Sequence, residues 1–155
     1  MENSLIQYMQ SYLSHLKATV LWFHSAHHVT KGPGFLSDHD RLFGEIYTKI
    51  DDHFDELIEK AIALSGDEIV ACPANLAIAA SHILSNHYES PVNLQSQKII
   101  ELSIIVVANL INSVCELHEL FDKENMLTLG LDETLSRHSN EYEKYLYFLG
   151  QRSKS

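Results

Sequence analysis

Positive charge is scarce in this chain. Its 155 residues carry 11 Lys and Arg against 21 Asp and Glu, a formal charge of −10 with histidine neutral. No lysine or arginine occurs before Lys17. A general nucleic-acid binder needs a cationic face to displace phosphate counterions, so the balance argues against that class. Acidic excess suits a surface or cavity that attracts cations, although acidity also serves simply to keep a protein soluble. Proline (3) and glycine (6) are sparse, which leaves long stretches with nothing to interrupt a helix. Cys72 and Cys115 are the only cysteines. Two thiols make no disulfide framework, and a reducing cytoplasm is the expected compartment. The longest apolar run, Leu102 to Ile111, is broken by Ser103 and Asn109. It falls short of the roughly 20 residues a membrane span needs. Met1-Glu-Asn-Ser has no basic stretch, so no export signal is expected.

What is present is helical periodicity, in a chain long enough for one domain (residues 1–155) with a sizeable core. From Ser4 to Val29, Leu5, Met9, Tyr12, Leu16, Val20 and Phe23 trace one face, and His27 continues it. Lys31-Gly-Pro-Gly34 ends that helix. From Asp38, with Ser37 or Asp38 as cap, to Leu64 the stripe is Phe43, Ile46, Tyr47, Ile50, Phe54, Leu57, Ala61 and Leu64. A short helix, Ala74 to Leu84, follows Pro73. Ser90-Pro91 is expected to open a long helix from Val92 to Phe121, apolar on two sides and so buried on two sides, against the bundle and a second subunit. A last helix, Asp132 to Gln151, turns Leu135, Tyr142, Leu146 and Phe148-Leu149 inward. The fold class is therefore all-α. Four long helices with the irregular crossing between the second and third describe the ferritin-like variant of the four-helix bundle, with a short helix in the long connection.

Ten histidines are present. His15, His53, His82, His87, His118 and His138 have no partner at a recognisable ligand spacing and read as surface or half-buried structural residues. His27 and His39 differ because they bracket the Gly-Pro turn. Taken singly, each reads as a capping or core histidine. A carboxylate ridge follows, however: Asp51, Asp55 and Glu59, four residues apart beside the apolar stripe. Like charges at that spacing destabilise an isolated helix, and a bound cation would relieve them. Mixed imidazole and carboxylate donors suit ferrous iron while leaving positions open for an oxidant. His24 and His28 flank His27, either as supporting residues or as plain surface. Their four-residue spacing also occurs in hemerythrin-like oxygen carriers, but the other helices offer no matching histidine set.

The segment His27-His-Val-Thr-Lys-Gly-Pro-Gly-Phe-Leu-Ser-Asp-His39 resembles the signature of Dps-like mini-ferritins. Leu42 to Lys60 resembles that family's second helix, and Tyr142 to Leu149 its last. The resemblance implies a homo-oligomeric shell of twelve subunits. It also implies ferroxidase activity, in which ferrous iron is oxidised by peroxide or oxygen and stored as ferric oxide, with protection against oxidative damage. Metal ligands implied are His27 and His39 from one subunit and Asp55 and Glu59 from another. Acidic residues Asp122, Glu124, Asp132 and Glu133 fall where the family lines ion pores, or form an acidic solvated loop. Some members bind DNA through a lysine-rich N-terminal tail; with none here, weak or no DNA binding is expected. Three departures stand out. One residue is inserted after His39. The family's early aspartate falls on Gly44, or on Phe43 without the insertion, and Asp40 is the candidate substitute. His28 stands where a tryptophan often follows the first histidine, with Trp22 a turn and a half away. These departures leave open a second reading, in which the same shell has a degenerate site and acts as a binding or structural protein.

Overall fold

The computed structural model describes residues 3–154; positions 1, 2 and 155, which bear on the export signal and the tails, lie outside them. Among the described residues there are five α-helices and no strand: α1 (Asn3–Val29), α2 (Glu45–Ser65), α3 (Pro73–His87), α4 (Ser96–Lys123) and α5 (Leu129–Ser153). A π-helical segment, Ser37–Gly44, leads directly into α2. A 3₁₀ turn, Glu68–Ala71, precedes α3.

The helices form where the apolar spacing is three and four. Leu5, Met9, Tyr12, Leu16 and Phe23 of α1 are buried, as are Ile46, Ile50, Phe54, Leu57 and Ala61 of α2. Helix α1 packs on α2, α3 and α4, and α5 packs on α4 and α2. The long helices thus close a four-helix bundle, while α3 lies in the crossing between α2 and α4, against α1. Helix α4 is long and apolar enough to cross a membrane by length and hydropathy alone. Its residues Ile99, Val106, Leu110, Val114 and Phe121 are instead buried in the bundle core. Of its two expected apolar stripes, Ile104 and Ile111 stay partly open, and Ile105 is 52 % exposed.

The short helix runs on to His87 and the last spans Leu129–Ser153, each a few residues beyond expectation, and the starts of the second and third long helices depart further. Helix α4 begins at Ser96 rather than Val92 because the preceding chain is tied to the end of α1. The Trp22 indole donates to the Glu89 carbonyl at 2.9 Å, Lys31 Nζ donates to the Leu94 carbonyl, and Asn93 adopts a positive φ of 65°. Asp38 does not cap the second helix either. It is 1 % exposed and accepts two hydrogen bonds from the Arg152 guanidinium, 3.0 and 2.8 Å. A bidentate pair of this kind adds geometric specificity, and here it clamps the start of the π segment to the end of α5. Phe148 is corrected as well: at 45 % exposure it faces outward, while Leu149 next to it is buried.

Candidate metal centre

The structure is irregular where the resemblance implies an inserted residue after His39. An extra residue in a continuous helix is absorbed by widening the hydrogen-bond loop from four residues to five, and the segment Ser37–Gly44 is π-helical. The widened turn brings Gly44 against α1. A Cβ built on Gly44 would lie 2.9 Å from the His39 carbonyl oxygen and 3.3 Å from His27 Nδ1. A side chain there must displace the His39 backbone carbonyl, so the packing disfavours the aspartate that the resemblance expects at this place.

His27 and His39 meet across this contact. Their rings stack with centroids 3.8 Å apart and planes 15° from parallel. Each Nδ1 reaches the other residue's backbone carbonyl: His39 Nδ1 to His27 O at 2.7 Å, and His27 Nδ1 to His39 O. A carbonyl oxygen only accepts, so both Nδ1 atoms carry the proton. The tautomer is thereby set, and each Nε2 presents a lone pair. Both residues are partly exposed. Phe35 stacks on the outer side of His39 at 4.9 Å, and Tyr47 lies edge-on to His27 at 5.3 Å.

The carboxylates of α2 separate into two groups. Asp51 pairs with Lys17 at 3.8 Å, and Glu56 pairs with Arg137 at 2.7 Å. Asp55 and Glu59 are exposed and make no ion pair among the described residues. They do not approach His27 within the chain. Gly44 touches His27, and at 1.5 Å of rise per residue Asp55 lies about 16 Å and Glu59 about 22 Å farther along the helix. No three His, Cys, Asp or Glu side chains among the described residues converge on one point. Asp40 is exposed and lines the same groove as His27, together with Tyr47, Asp52 and the Glu141–Lys144 pair. On the acidic α4–α5 connection, Asp132 accepts from His118 Nε2 at 2.7 Å, joining the two helices.

A second histidine pair was not anticipated. His53 and His138, expected at or near the surface, are 3 % and 0 % exposed. Their rings stack at 3.9 Å and 12°. His138 Nε2 lies 2.8 Å from Glu56, and the Tyr142 hydroxyl lies 2.9 Å from His53 Nδ1. Tyr12 joins Tyr142 at 3.2 Å and approaches His138 Nδ1 at 3.5 Å. Desolvation pushes the His53 imidazole down to about 3, with the neighbouring His138 adding to the effect; burial lowers His138 too, against the pull of Glu56. Burial alone would raise the Glu56 carboxyl, but hydrogen bonds from Arg137 and His138 hold it below its usual range. The signal for this cluster was in the spacing. Leu131, Leu135, His138, Tyr142, Tyr145 and Leu149 recur at four and three, as do Ile46, Ile50, His53 and Leu57. Both histidines occupy core positions of their helices.

No protein-family model matches the chain, and no curated protein matches it. Solved structures do. A Dps from Thermosynechococcus elongatus superposes with a TM-score of 0.81 at 21 % identity, covering 98 % of this chain and 91 % of that one. A Dps from Vibrio cholerae O1, described as a member of a broad superfamily of ferritin-like diiron-carboxylate proteins, gives 0.79 at 20 % identity over 97 % and 89 %. A Dps from Bacillus brevis gives 0.78 at 18 % over 97 % and 98 %. The fold is that of the Dps proteins, over nearly the whole chain.

Proposed function

We propose that this chain is a subunit of a Dps-like mini-ferritin, which binds ferrous iron between two copies, oxidises it and stores the ferric product within a twelve-subunit shell. The observation that carries this reading is the reciprocal bonding of His27 and His39, which leaves both Nε2 lone pairs without a protein partner on partly exposed residues. Two neutral imidazoles suit a ferrous ion. Asp55 and Glu59, unpaired and too far along α2 to reach those imidazoles, supply carboxylates to a second copy's histidines. Asp40, beside His27 in the groove, adds an oxygen donor where Gly44 has none.

The substrate is the iron itself. Each ferrous ion gives up one electron, so a peroxide molecule, which takes up two electrons and two protons to become water, consumes two ferrous ions. Carboxylates favour the ferric product because it is the harder ion. The chain's task is positional. The carbonyl bonds hold both imidazoles in the ligating tautomer before iron arrives, and the partly open face admits the oxidant. DNA plays no part in this reading, since Arg152 is committed to Asp38 and the acidic surface repels phosphate.

Two measurements test the proposal. Light scattering should find a particle twelve times the 17.6 kDa chain mass. Stopped-flow iron oxidation with peroxide should slow about 100-fold or more in a His39→Ala/Asp55→Ala variant that still assembles, in line with the cost of disturbing metal ligation. Unchanged kinetics in that variant would sink the site assignment. The steric crowding at Gly44 supports a second reading, a shell whose site binds iron without rapid turnover. Anaerobic ferrous titration separates the two: tight binding with slow oxidation by either oxidant favours the second.

A further inference from the structure

We infer that His24 and His28, whose rings lie 6.2 and 5.0 Å from that of His27, form a two-histidine site of their own for a borderline, nitrogen-preferring divalent ion, with Zn²⁺ as the probe. The site rests on the geometry of α1 and not on the iron reading. The two residues are four apart on one face of α1 and both are exposed. Their ring centroids are 4.7 Å apart, with planes 41° from parallel. A ring nitrogen lies about 1 Å from its ring centre, so rotation of the two rings can set nitrogens as close as about 2.7 Å, a range that includes the roughly 3.4 Å span of two ligands on a tetrahedral ion with bonds of about 2.1 Å.

The pair is also held ready. His24 stacks on Tyr47 of α2 at 4.5 Å and 27°, which restricts its ring. Among the described residues no hydrogen bond or ion pair engages either imidazole, whereas His27, His39, His53 and His138 all have nitrogen partners. Free nitrogens on a restrained, solvent-facing pair are what distinguishes a chelate from a structural histidine. The donor set selects the ion: two imidazoles without a carboxylate favour zinc, nickel or copper over ferric iron. Water completes the coordination. His28, which stands where the resemblance expects a tryptophan, is thereby given a chemical role of its own.

The test is calorimetric titration of the assembled, full-length protein with Zn²⁺. The expected result is one ion per chain fewer in His24→Asn/His28→Asn than in the unmodified protein. Either single Asn variant should weaken that ion at least about tenfold, because the second imidazole acts at the high effective concentration that the helix imposes. The His39→Ala/Asp55→Ala variant should keep the ion. Equal stoichiometry in the double Asn variant would overturn the inference, as would full affinity in the single variants. Loss of the ion in His39→Ala/Asp55→Ala would also overturn it, by assigning the zinc to the inter-subunit site. If the double Asn variant assembles poorly, His24→Asn alone decides the matter, since its ring is exposed. None of these outcomes depends on ferrous oxidation, so this inference and the iron reading can fail independently.

Discussion

Two pairs of stacked histidines lie in this bundle, and by ring geometry they are almost the same: 3.8 Å and 15° for His27 and His39, 3.9 Å and 12° for His53 and His138. What differs is where the nitrogens go. The first pair uses Nδ1 on main-chain carbonyls and leaves both Nε2 atoms without a protein partner, on partly exposed residues of which His27 lines a groove. The second pair is sealed in the core, bonded to Glu56 and Tyr142. The first pair thus keeps two ring nitrogens without a protein partner on partly exposed residues, whereas the second is buried and engages three of its four ring nitrogens. Buried polar groups of the second kind have to be satisfied, because an orphaned partner pays its full desolvation cost.

The contrast can be broken by exchanging damage between the pairs. His138→Ala removes a fully buried ring, its hydrogen bond to Glu56 and the stacking partner of His53. It should cost about 3 kcal/mol of stability, read by denaturant unfolding. Iron oxidation by the protein that remains folded should stay near the original rate. His39→Ala should do the opposite, slowing oxidation with a smaller effect on stability. A His138→Ala variant that is fully stable but inactive would reverse the two assignments.

Acid provides a smaller, graded test. The His53 imidazole is held neutral down to about pH 3 in the folded chain, against an ordinary value near 6.5. Above about pH 6.5 both states are neutral and the group contributes nothing. As pH falls below that, the unfolded chain takes up a proton that the folded chain refuses, so stability drops by about 1.4 kcal/mol per unit. From pH 6.5 to pH 5 the loss from His53 is about 2 kcal/mol, and His138, shifted in the same direction, adds to it. Unfolding free energies measured across this range should show the slope, and His53→Leu should flatten it. A slope unchanged by that substitution would place the titration elsewhere.

The smallest effect expected is at the π segment. Gly44→Ala would ordinarily help a helix by up to about 1 kcal/mol. Here the new methyl group meets the His39 carbonyl at 2.9 Å, so thermal unfolding should show a net loss of about 1–2 kcal/mol from overpacking. Iron oxidation should slow as well, because the displaced atoms hold His27 and His39 in register. A stabilised Gly44→Ala protein would show that the widened turn is not under this constraint.

Much of the architecture was legible from local pattern. Leu5, Met9, Tyr12 and Leu16 on α1, and Ile50, Phe54 and Leu57 on α2, are buried as their spacing requires. The π-helical widening from Ser37 to Gly44 was not legible, because an extra residue can loop out or widen a helix, and only the packing of Gly44 on His27 selects the second. His53 and His138 are structural, as their lack of ligand spacing indicates, but their three-and-four spacing with core residues places them in the interior rather than at or near the surface. Asp38 was misread because its partner Arg152 is 114 residues away.

The amino-acid sequence by itself determined the helices, the Gly-Pro turn and the acidic ridge, since each depends on residues within one or two turns of one another. The tertiary structure decided which of two stacked histidine pairs stays partly exposed with both Nε2 atoms unbonded, and which carboxylates on that ridge stay unpaired among the described residues. The reason is physical: a nitrogen's availability depends on which carbonyl, hydroxyl or carboxylate the folded chain brings within about 3 Å of it. For His53 and His138 those groups come from residues as far as 126 positions apart, a distance that no local pattern spans.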